Sequence, residues 1–175
     1  MKFNQIIRNL LLTAIGVVFS IQLLNAQNTD MVLIEALGQP VFGQTAIITT
    51  EAGDDITGTI TESQSNTWLN IRSTGKINSN NHDYEVWVRA VNLPAGVTLE
   101  VIRANSGNKP GGGGGQGQLS GGDTSYLSIT DVPQKFFTGK GDRENVGLLF
   151  QLRNVSVVQP IGNLGYHLIF EVIRL

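Results

Sequence analysis

The sequence predicts an all-β fold: an antiparallel β-sandwich of about eight to ten strands. Three observations predict it. Short apolar runs alternate with polar residues at period two, the pattern of a half-buried strand whose successive side chains leave opposite faces. Turn residues punctuate these runs at short spacing, as in Asn92-Leu93-Pro94-Ala95-Gly96 and Thr138-Gly139-Lys140-Gly141. After the first 26 residues, no stretch carries the 3.6-residue period of an amphipathic helix. A closed barrel is the alternative. An outer-membrane barrel is disfavoured, because too few runs reach spanning length and paired aromatic girdles are lacking.

Met1 to Ala26 has the parts of a secretory signal peptide. Lys2 and Arg8 supply a positive start, Leu10 to Leu24 is almost wholly apolar, and Leu24-Asn25-Ala26 precedes the expected cut before Gln27. The apolar run is shorter than the roughly 20 residues of a spanning helix. An exported protein with no stable membrane span after cleavage is therefore expected, in the periplasm, at the cell surface or outside the cell. Residues 27–175 then form a single sandwich domain, long enough to bury a core.

Of twelve basic residues, removal of Lys2 and Arg8 leaves ten against fourteen acidic ones, a net charge of −4. The bases are scattered singly, so phosphate-driven binding of nucleic acid is not expected. The chain has no cysteine. Disulfides, thiolate metal sites, a cysteine nucleophile and a lipidated N-terminal cysteine are all excluded, and stability must come from packing.

The strands follow in order. Met31–Leu37 sets Val32, Ile34 and Ala36 against Leu33, Glu35 and Leu37. Ala46–Thr50 is a β-branched run, and Ile56–Ile60 alternates around Gly58. Trp68–Arg72 turns Leu69 and Ile71 inward and Trp68, Asn70 and Arg72 outward. Asp83–Arg103 reads as the organising hairpin. Tyr84, Val86, Val88 and Ala90 share one face of its first strand, and Val97, Leu99 and Val101 share one face of its second. Proline and glycine between them allow the chain to reverse.

Residues 106–122 hold nine glycines in seventeen positions, five of them consecutive from Gly111 to Gly115. A phosphate cradle needs set glycine spacing and a following Lys-Ser or Lys-Thr that opens a helix. Lys109 instead precedes the run, so a flexible glycine-rich loop between strands is expected. Tyr126–Thr130, Gly147–Arg153 and Gly165–Leu175 complete the strands, with Val155–Val158 continuing the second or standing as a short edge. Tyr166, Leu168, Phe170 and Val172 share one face of the last.

Chemistry is sparse, and the sequence predicts neither an enzyme nor a cofactor nor a metal site. His82 sits in a polar turn and His167 in the last strand; each is expected to be solvated. Asp54-Asp55, Asp123 and Asp142-Arg143-Glu144-Asn145 follow no calcium-loop spacing and read as solvated turns. Trp68 and Trp87 fall on the polar sides of their strands. Exposed together, they would make a stacking platform for a glycan, which is the ligand contact the sequence offers.

The segment Phe137-Thr138-Gly139-Lys140-Gly141, the strand Val146–Leu152 and the terminal Gly165–Val172 resemble the closing pattern of exported pilin-like β-sandwiches, the group of spore coat protein U and the chaperone–usher pilins. Trp68–Leu99 is similar to their core strands. The chain lacks the cysteine pair of many members and carries a glycine tract foreign to them. The resemblance implies an immunoglobulin-like sandwich and a structural or adhesive surface protein. Its partners would be copies of itself or other surface proteins, joined by strand addition. Gln27–Leu37 and Tyr166–Leu175 are the two segments suited to donate, the first preferred.

Overall fold

The computed structural model describes residues 31–42, 59–74, 77, 81–110, 118–155 and 166–175. The expected signal peptide, the strand at Ala46–Thr50 and the glycine run Gly111–Gly115 lie outside the described residues, as do Ile56–Gly58 and the stretch after Val155 that was expected to continue a strand.

Among the described residues ten strands form: β1 (Val32–Gly38), β2 (Thr59–Thr61), β3 (Thr67–Ser73), β4 (Asp83–Val91), β5 (Thr98–Arg103), β6 (Leu119–Ser120), β7 (Leu127–Ile129), β8 (Gln134–Lys140), β9 (Arg143–Arg153) and β10 (His167–Arg174). They make two antiparallel sheets packed face to face. The larger runs β1-β3-β9-β5-β7, with β2 joining β9 beyond the end of β3. The smaller runs β10-β4-β8-β6. This is the all-β sandwich that the alternation predicts.

The inward faces agree with the alternation. Tyr84, Val86, Val88 and Ala90 on β4 are buried against Leu69, Ile71, Leu99, Val101, Phe150 and Leu152 from the larger sheet. Each fully buried side chain of this size contributes roughly 1.5–3 kcal/mol of apolar transfer. β9 is the centre of the larger sheet. It pairs with β3 and β2 along one edge and β5 along the other, and it buries Val146, Leu148, Phe150 and Leu152.

Pairing departs from the expected hairpin. β4 and β5 lie in different sheets, and among the described strands no two that follow one another are hydrogen-bonded together. The turn expected between them does form, with Val97 N–H donating to the Pro94 carbonyl at 3.1 Å and positive φ at Asn92 and Gly96. It arches from one sheet to the other instead of reversing within one. The reason is the burial pattern: both strands bury their apolar faces, and stacking those faces across the ~10 Å between sheets covers both at once. β8 and β9 change sheets in the same way through only Gly141 and Asp142.

Candidate functional site

Trp68 and Trp87 are not brought together. Leu69 and Ile71 point into the core, so Trp68 lies on the outer face of the larger sheet, 37% exposed and paired across with Leu37. Val86 and Val88 point inward from β4, so Trp87 lies on the outer face of the smaller sheet, where its indole N–H donates to Glu85 at 3.1 Å. Both sheets stand between the two rings. The single platform a glycan reading requires is not formed.

What the fold does bring together is its two long edges. Among the described residues, β1 has one partner strand, β3, and β10 has one, β4. The two strands touch, so these edges share one side of the sandwich. They run in opposite directions. Thr74 N–H donates to the Met31 carbonyl at 2.9 Å, and Leu175 N–H donates to the Asp83 carbonyl at 3.0 Å. Those contacts set the start of β1 and the end of β10 at the same end of the molecule.

Val32 and Ile34 of β1, and Leu168, Phe170 and Val172 of β10, are half-buried against the core. The outward residues are apolar as well. Among the described residues, eight large hydrophobic side chains are exposed. Seven of them, Met31, Leu33, Leu37, Val41, Trp68, Ile173 and Leu175, belong to β1, β10 or their immediate neighbours. The eighth, Val132, lies elsewhere. Exposed apolar residues scattered singly need no explanation, but a cluster along two edges with no second partner strand among the described residues does.

A second notable region is a buried polar corner where β3, β4 and the Gly141–Asp142 crossing meet. His82 is only 4% exposed, and its Nε2 lies 3.5 Å from Asp142. The expectation of a solvated His82 is therefore corrected: the ring packs 5.7 Å from that of Tyr84, under the crossing. Asp142 is likewise buried, not a solvated turn residue. It accepts Ser73 N–H at 2.8 Å, while Gly141 N–H donates to the His82 carbonyl. Backbone groups left over at the crossing are thus satisfied, Ser73 N–H by the Asp142 carboxylate and Gly141 N–H by the His82 carbonyl. His167 is exposed, as expected.

Burial pushes the Tyr84 phenol well above its ordinary value, and its hydroxyl is buried without a hydrogen-bond partner. Nearby, the buried Arg103 guanidinium bonds to Asn105 and Ser106 before the glycine tract, and to Gly121 and Asp123 after it. It closes the stem of that loop.

Glu62 is a third buried charge that the alternation does not reveal. Its backbone N–H donates to the Phe150 carbonyl, and its carboxylate accepts Phe150 N–H at 2.9 Å and Val41 N–H at 2.7 Å. It thus bridges the gap in the β9 ladder between β3 and β2. Desolvation raises its carboxyl above the ordinary value, against the lowering by those N–H donors.

A cleft of about 450 Å³ lies at the opposite end from the polar corner, near Asn92, Leu93, Thr98 and Asp131. Among the described residues, no three His, Cys, Asp or Glu side chains are grouped to hold a metal ion, and no helix is long and apolar enough to cross a membrane. Partners for His82, Asp142 and Glu62 come from distant parts of the chain, so no local sequence signal could have found them. The edge positions of β1 and β10 likewise need the strand order. Comparison with protein-family models, curated proteins and solved structures finds no match.

Proposed function

We propose that this chain is an exported, non-enzymatic structural or adhesive surface protein that assembles by β-strand addition. The carrying observation is the β1/β10 side, where, among the described residues, two long edges each have a single partner strand and seven of the eight exposed large hydrophobics gather. An edge strand offers unpaired N–H and C=O groups that another strand can satisfy, and alternate apolar side chains that give the pairing register. β1 is the better donor of the two. Five of its seven residues are exposed, and twenty residues separate it from β2. The immunoglobulin-like, pilin-like kinship belongs to the same reading, as do a signal peptide at 1–26 and a place in the periplasm, on the cell surface or outside the cell.

The test is the solution mass of the chain from Gln27, compared with one lacking Gln27–Leu37. Multimers from the first and a folded monomer from the second are expected. Cooperatively folded monomers in both cases overturn strand addition among copies.

A further inference from the structure

The cleft of about 450 Å³ forms where two connections meet. One is the arch at Asn92–Gly96 that carries the chain from β4 to β5. The other is the turn at Thr130–Pro133 that carries it from β7 to β8. The two are tied together, since Ala90 N–H donates to the Thr130 carbonyl at 2.8 Å. The turn is braced by the Thr130 hydroxyl, which accepts Val132 N–H at 3.3 Å and the Gln134 side-chain amide at 2.8 Å. Both walls are thus fixed by the chain itself, and the cleft is preformed.

Its lining is apolar below and polar at the rim. Ala90, Val97 and Ile129 are buried, and Leu93 is half-buried beside them. Asn92, Ser128 and Asp131 are exposed, and among the described residues none of these three side chains is engaged in a hydrogen bond or ion pair. Asp131 is the only charged residue in the lining. Arg153, in register with Thr98 on the neighbouring strand, is held by Glu100 at 2.9 Å. An apolar hollow onto which a few polar groups converge is the usual form of a small-ligand site, and such sites run from roughly 300 to 1,000 Å³.

We propose that this cleft binds a primary ammonium group on an aliphatic stem, the chemistry shared by a lysine side chain and a free alkylamine. The stem lies over Leu93, Val97 and Ile129, and the ammonium meets the Asp131 carboxylate. An ammonium has three donors and no acceptor, and Asn92, Ser128 and Asp131 each offer it an acceptor oxygen. Anions are disfavoured, because the one charge in the lining is negative. A sugar has less to hold it, since no aromatic ring lines the cleft for stacking. No residue of β1 or β10 belongs to the lining, so the site stands independently of strand addition.

The test follows backbone amide chemical shifts of the chain from Gln27 as n-pentylammonium is added. Saturable shifts confined to residues 90–98 and 128–131 are expected, with a dissociation constant on the order of 1 mM. Asp131→Asn keeps the shape of an exposed side chain and removes its charge; it should weaken binding about 5-fold. Ser128→Ala should weaken it about 2-fold. Asp83→Asn removes an exposed acid at the start of β4, away from the cleft, and should leave affinity unchanged. Nα-acetyl-lysine N-methylamide separates the two sources of the ammonium. Binding at least as tight as that of n-pentylammonium assigns the site to a lysine side chain of a partner, and weaker binding assigns it to a free alkylamine. The proposal is overturned by n-pentanol binding as tightly as n-pentylammonium, by an equal loss in Asp83→Asn, or by no saturable shift up to about 20 mM. Each of these outcomes is read without reference to the solution mass that tests strand addition.

Discussion

The polar corner beneath the Gly141–Asp142 crossing and the β1/β10 side are built from the same strands by opposite means. At the corner, His82, Asp142 and Tyr84 are buried together, and Asp142 accepts Ser73 N–H from β3. Along the β1/β10 side, each strand is held by one ladder and a half-buried apolar face. The corner carries stability, since burying its backbone groups without partners would cost heavily. The side leaves much apolar surface exposed, which the strand addition proposed above would cover. Substitutions should therefore separate: those at the corner change folding, and those on the side change association.

The largest effect is expected at Gly139, which faces Tyr84. A Cβ there would lie 2.3 Å from the Tyr84 Cζ and 2.4 Å from its hydroxyl oxygen. Both atoms belong to a rigid, fully buried ring, so the clash cannot be relieved cheaply. Gly139→Ala should cost about 3 kcal/mol, the upper range of overpacking, measured by denaturant unfolding. Tyr84→Leu removes the atoms that clash. The double variant should then cost less than the sum of the two single ones; strict additivity would mean that the ring moves aside freely.

Asp142→Ala comes next. It leaves Ser73 N–H without its acceptor in a buried place and removes the carboxylate that lies 3.5 Å from the His82 ring, a loss of about 2 kcal/mol. Leu33→Lys, on the β1 side, should change unfolding free energy by no more than about 0.5 kcal/mol. Equal effects at the two positions would erase the distinction between corner and side.

Much of this fold is legible in the sequence, but only one strand at a time. Alternation identifies the inward faces of β3, β4, β5 and β10 correctly, because each is half-buried and period two follows directly from the pleat. It does not identify partners. The turn chemistry of Asn92–Gly96 reverses a chain equally well within a sheet or across the sandwich, so the hairpin reading was local and the arch is global. The polar corner is illegible for the same reason. Asp142 bonds to a backbone group 69 residues away, and nothing near it distinguishes a buried crossing from an exposed turn. With no consecutive strands paired among the described residues, closing this sandwich depends on long-range contacts, which predicts slow folding for its size.

Glu62 gives the smallest effect and the finest test of how the ladder is completed. Burial raises its carboxyl above 4.5 even though two backbone N–H groups pull it down. The folded chain therefore holds that proton more tightly than the unfolded chain does. Its contribution to stability is fully present below 4.5 and is lost as the pH rises through the raised value. Glu62→Gln removes the titration. It also sets an amide N–H₂ against the donors at Val41 or Phe150, a cost of about 1 kcal/mol. The stability of the native chain relative to Glu62→Gln should thus be greatest near pH 4 and decline toward pH 7. A difference that grows with pH would mean that the two N–H donors outweigh desolvation, and that the carboxylate in its charged form is the piece that completes β9.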